Sequence, residues 1–136
     1  MPSQAANLRK SLFDQGYIDD QFIRLEELQD DSNPNFLEEV VRLFYNHSTM
    51  KIHNIELALE SGALDFTKLD DMMIQFKGSC SSIGARKVNK ECLEFKQYCD
   101  AGNIEGCRSA FQRLKQELYI LKTKLEIYFQ MAKQGS

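Results

Sequence analysis

The sequence predicts an all-α fold, an antiparallel four-helix bundle with one or two additional short helices at its N-terminus, and three observations predict it. Four long stretches repeat apolar residues at intervals of three and four, the period of a helix with one packed face. Only two prolines and seven glycines punctuate the 136 residues, so the links between these stretches are short, as antiparallel neighbours in a bundle require. Apolar residues make up 43% of the chain, enough to fill one core without metal or disulfide staples. A single domain over 1–136 is expected, with the bundle at about 34–131 and the N-terminal helices at about 5–29.

From Asn7 to Leu28, the apolar positions Leu8, Leu12, Phe13, Phe22, Leu25 and Leu28 are interrupted at Gly16, which fits two short helices separated by a turn. The next helix is expected to start with Asn33 as cap and Pro34 in the first position, with Glu38 and Glu39 complementing the helix dipole. Its packed face is Leu37, Val40, Val41, Phe44, Ser48, Ile55 and Leu59, and Ser61-Gly62 ends it near Glu60. The following helix has Asp65 as cap, Leu69, Met72, Met73, Phe76, Cys80 and Ile83 on its inner side, and Gly84 as stop. A fourth runs from about Lys87 to Cys99 on Val88, Cys92, Phe95 and Cys99. The last begins near Ile104 and carries Cys107, Phe111, Leu114, Leu118, Leu121, Leu125 and Phe129 in a steady seam.

Composition excludes several functional classes. A net charge of −3 offers no basic face for a phosphate backbone, so no nucleic-acid partner is expected. The opening MPSQAANLRKSLFDQG holds neither the apolar core of a signal peptide nor a lipidation motif, and no apolar run nears the roughly 20 residues that span a bilayer. No membrane association is expected, and the chain is placed in the cytoplasm and, being small, the nucleus. Cys80, Cys92, Cys99 and Cys107 form no CxxC pair and have no histidine at metal-ligand spacing. They read as small reduced core residues, with no metal and no cofactor implied.

One residue breaks the helical pattern. At about 100° per residue, Ile74 points roughly 150° away from the inner face of its helix, among Asp70, Asp71, Lys77, Gly78 and Ser81. A lone exposed isoleucine is ordinary. Gly78, one turn later in mid-helix, is not, because glycine there costs about 1 kcal/mol relative to alanine. Since i and i+4 stack on a helix, the missing side chain clears space beside residue 74 for another protein to approach, and Lys77 adds a cation at the same place.

The segment Ile74-Gln75-Phe76-Lys77-Gly78-Ser79-Cys80-Ser81-Ser82-Ile83-Gly84-Ala85 closely resembles the signature of plant histidine-containing phosphotransfer proteins, His-Gln-Leu/Phe-Lys-Gly-Ser-Ser-Ser-Ser-Ile/Val-Gly-Ala. The resemblance extends over nearly the whole chain, through Gly16 to Phe22, Glu39-Val40-Val41-Arg42-Leu43-Phe44, Lys68-Leu69-Asp70, Phe95-Lys96-Gln97-Tyr98-Cys99 and Glu117-Leu118-Tyr119. In that family an imidazole nitrogen takes a phosphoryl group from an aspartate of one receiver domain and surrenders it to another. Here the acceptor position holds Ile74, which has no lone pair and forms no phosphoramidate. The resemblance is therefore to the pseudo-phosphotransfer members, which inhibit the cytokinin phosphorelay.

What the resemblance implies is a non-catalytic monomer that docks receiver domains of hybrid histidine kinases and response regulators and competes with true phosphotransfer proteins. The docking face is expected to combine Asp70, Asp71, Ile74, Gln75, Lys77, Gly78 and Ser81 with Asp20, Gln21 and Arg24 of the N-terminal helices. The alternative is a functional phosphotransfer protein carrying a His-to-Ile change at its acceptor site, although Met72, Met73 and Cys80 also depart from commoner family choices. His47 and His53 lie on another helix without a following Lys-Gly pair and read as ordinary surface or boundary residues. Ser79, Ser81 and Ser82 read as polar helix-end chemistry, with kinase modification the minor alternative.

Overall fold

In a computed structural model, which describes residues 3–134, six helices follow one another: α1 Gln4–Asp14, α2 Asp20–Glu27, α3 Phe36–Glu60, α4 Phe66–Ile83, α5 Arg86–Asp100 and α6 Ile104–Gln134. The last four form the bundle, with α4 against α3 and α5, and α6 against α5 and α3. The two short helices dock on its outside, α1 along α6 and α2 against α4 and α3.

Each boundary has a local cause. Ser3 starts α1 by accepting from the Ala6 N–H at 3.0 Å, and Asp19 starts α2 by accepting from Gln21 at 2.9 Å. Asp65 caps α4 through the Lys68 N–H at 3.1 Å, as its sequence position predicts. The start of α3 differs from expectation. Asn33 does not cap it: the cap position falls to Asn35, which makes no side-chain cap hydrogen bond, and the Asp30 carboxylate accepts from the backbone N–H groups of Ser32 and Asn33, both at 2.9 Å, closing an Asx turn before the helix. The helix begins at Phe36, and the Gln29 side chain accepts from Leu37 at 3.1 Å in place of the cap.

The core is continuous across all six helices and is centred on Phe22, Phe76, Phe95 and Phe111, all at most 2% exposed. The four cysteines are buried and free, and two of them bring their sulfurs to 3.5 Å across the α5–α6 turn, Cys99 and Cys107. Burial pushes both thiols up, which keeps them protonated and unreactive. Val40, Met72 and Leu118 are half-buried, and at the end of α6 the buried aromatic is Tyr128, with Phe129 beside it at the margin. His47 and His53 are exposed on α3. Among the described residues, no helix is long and apolar enough to cross a membrane.

Gly84 joins the N-terminal segment to the bundle. It closes α4 with φ +75°, and its carbonyl accepts from the Asp19 N–H at 3.1 Å while Tyr17 accepts from Arg86 at 3.2 Å. A Cβ at this position would lie 2.4 Å from Asp19 Oδ1 and 2.6 Å from the Phe22 backbone nitrogen. Both the left-handed backbone and the close approach of α2 therefore demand glycine.

Candidate functional site

Helix α4 buries Leu69, Met73, Phe76, Cys80 and Ile83, and this inner stripe fixes what faces outward. Asp71, Ile74, Gln75, Gly78 and Ser81 are exposed, while Asp70 and Lys77 are half-buried. Ile74 is 47% exposed, so the isoleucine does stand on the outer surface.

Gly78 is helical with nothing unusual in its φ, and a Cβ built there meets nothing within 4 Å outside its own helix backbone. Nothing in the fold itself requires glycine. Its cost of about 1 kcal/mol relative to alanine goes uncompensated within the chain, and the bare turn next to Ile74 is open to a partner. Lys77 makes no ion pair among the described residues, leaving its charge available at the same turn.

This turn is held from both sides. Toward α5, Lys96 lies 3.2 Å from Asp70 and 3.6 Å from Asp100, and Asn89 donates to Ser81 at 2.9 Å. Toward α3, Lys51 donates to Ser79 at 2.7 Å. The hydrogen bond to Asp70, aided by the charge of Asp100, raises the pKa of Lys96 against its desolvation. Ser79 and Ser82 donate back to the helix carbonyls of Gln75 and Ser79 at 3.4 and 2.6 Å, so these hydroxyls are occupied locally. The result is a patch tied to both neighbouring helices. The groove between α3 and α6, about 410 Å³ and lined by Val41, Tyr45, Leu125 and Phe129 among others, does not include Ile74. Among the described residues, no group of three or more His, Cys, Asp or Glu is arranged to hold a metal ion.

The residues expected from the N-terminal helices divide. Gln21 reaches α4, donating from Nε2 to the Ser82 carbonyl at 3.3 Å. Asp20 and Arg24 are exposed on α2 without a hydrogen bond to α4 among the described residues. Sequence reasoning missed the contribution of α5, where Asn89, Leu93 and Lys96 follow each other at helical spacing. Asn89 and Lys96 grip α4, and Leu93 between them is a second exposed aliphatic, at 45%. The available signal was that spacing of seven on a helix whose inner side was already assigned.

Three kinds of comparison place the chain. The Hpt domain matches residues 39–124. The chain is 53% identical over 132 residues to pseudo histidine-containing phosphotransfer protein 5 of Oryza sativa subsp. japonica, covering 97% of this chain and 87% of that protein. It is 59% identical over 116 residues to histidine-containing phosphotransfer protein 4 of Arabidopsis thaliana, covering 85% and 91%. Among solved structures, the histidine-containing phosphotransfer protein of Medicago truncatula superposes with a TM-score of 0.90 at 37% identity, over 96% of this chain and 89% of that one.

Proposed function

The chain belongs to the Hpt-domain family of plant histidine-containing phosphotransfer proteins, and we propose that within it this protein docks receiver domains without accepting phosphate, so dampening a cytokinin-type phosphorelay. The observation that carries the reading is Ile74. The residue stands where the resemblance puts the acceptor histidine, exposed beside a bare Gly78 and an unpaired Lys77.

Physical chemistry supports docking at this patch. Burying the Ile74 side chain against a partner contributes on the order of 1–2 kcal/mol from area alone. Lys77 complements the acidic pocket of a receiver and steers its approach. The patch is pinned on both flanks by Lys96–Asp70, Asn89–Ser81 and Lys51–Ser79, so little ordering entropy is lost on binding. Its partners are the receivers of hybrid histidine kinases and of response regulators, met in the cytoplasm and nucleus, where they compete with true phosphotransfer proteins.

The test is competition. Receiver-to-receiver transfer through a true phosphotransfer protein is expected to slow as this chain is added, and Ile74→Asp is expected to abolish the slowing. Undiminished transfer at saturating concentrations of the chain would rule the proposal out.

A second reading is a working phosphotransfer protein with a His-to-Ile change at its acceptor site, favoured by the 59% identity to a relative whose name carries no "pseudo". Both readings keep the docking surface around position 74, so both predict that Ile74→His accepts phosphate.

A further inference from the structure

Leu43, Met50 and Leu57 are 56%, 70% and 53% exposed and recur at intervals of seven along α3, so they lie on one line of the helix. Single exposed aliphatics are unremarkable, but three in register form an unpartnered stripe. Asn46, His47, His53 and Asn54 fill its gaps, and all four are exposed. Counted outward from Met50, the face is identical in both directions: histidine at three residues, asparagine at four, leucine at seven.

That palindrome specifies its own partner. In a two-fold contact, residue i meets j while j meets i, so the same patch must complement itself. Two α3 helices crossing antiparallel at Met50 do this with like pairs throughout. Met50 meets Met50, Leu43 meets Leu57, Asn46 meets Asn54 and His47 meets His53. The charges agree. Glu39 and Glu60 fall opposite Ser61 and Val40 of the second copy, Arg42 opposite Ala58, and Glu56 opposite Phe44, so no like charges face each other. The buried side of α3, Leu37, Val41, Phe44, Ser48, Ile55 and Leu59, is already spent on the bundle and needs no rearrangement.

We propose that this stripe is the contact between two copies of the chain, packed antiparallel through α3 about Met50. It replaces the monomer expected from the sequence and is independent of the phosphorelay reading, because it uses another helix from the one that carries Ile74.

Light scattering over a concentration series tests it on the full chain. The mass is expected to rise from 15.7 kDa toward twice that value, and Met50→Glu, which sets two carboxylates face to face on the axis, is expected to hold the chain at the lower mass with unchanged helicity by circular dichroism. A wild-type chain that stays at 15.7 kDa throughout, or a Met50→Glu chain that still doubles, overturns the proposal. A short bis-maleimide then reads the direction of packing, since the native cysteines are buried. Leu43→Cys and Leu57→Cys chains are expected to cross-link when mixed and not when separate. Cross-linking of either variant with itself in preference to the other overturns the antiparallel arrangement.

Discussion

The Lys96 ammonium of α5 sits 3.2 Å from the Asp70 carboxylate of α4, one turn before Ile74. Asp70 was expected among the docking residues, yet its charge is already engaged within the fold, whereas that of Lys77 is not. Asp70→Ala is therefore expected to move the melting temperature by only a few degrees, as partly exposed ion pairs do, and to weaken receiver binding less than Lys77→Ala. Calorimetric titration of both variants against one receiver decides it. A larger loss from Asp70→Ala means that the carboxylate itself contacts the partner.

Gly78→Ala separates folding from docking. A Cβ at this position meets nothing within 4 Å, so alanine should stabilise the isolated protein by about 0.5–1 kcal/mol through its helix propensity. The same methyl group fills the space cleared beside Ile74, and receiver affinity should fall. Urea denaturation and titration on the same preparation check both signs. A variant both stabler and equally tight in binding would mean that the partner does not approach here.

Gly84→Ala should do the reverse of Gly78→Ala. Its φ of +75° is strained for alanine, and its Cβ would collide with Asp19 and the Phe22 backbone, at a cost of roughly 1–3 kcal/mol. The damage should be local, loosening α2 first. Limited proteolysis is expected to cut near residues 15–20 before the bundle opens, and uniform unfolding with no early cut contradicts this.

The Glu26 carboxylate of α2, only 14% exposed, is gripped by Arg9 of α1 and accepts the hydroxyl proton of Tyr128 on α6. Burial first, then this hydrogen bond, raises the tyrosine pKa, so the hydroxyl stays protonated as donor. Removing it with Tyr128→Phe leaves the carboxylate one partner short and should cost about 1.5–3 kcal/mol, the scale of a hydrogen bond to a charged group. A loss well below that in denaturant titration would show water replacing the hydroxyl at no cost.

The helices and their inner faces were legible because burial imposes a 3.6-residue period. The Asp65 cap and Gly84 stop of α4 were legible because their conformations favour few residue types. The start of α3 was misread, since nothing local distinguishes Asn33 from Asn35 as the cap. Ile74 and Gly78 could be found as exceptions to a pattern on one helix. The pairings of Lys96, Asn89 and Lys51 could not, because their partners lie 26, 8 and 28 residues away and depend on the register between helices. The Arg9–Glu26–Tyr128 cluster was hidden for the same reason, being assembled from three separate helices.

The central claim is that the docking surface persists while its nucleophile is gone. Mixing this chain with a receiver domain phosphorylated on its aspartate, then following label and complex together, tests it most directly. The account predicts a stable complex with no phosphate on this chain, and phosphate appearing on Ile74→His. Phosphate found on the wild-type chain, on His47, His53 or any other residue, would contradict it.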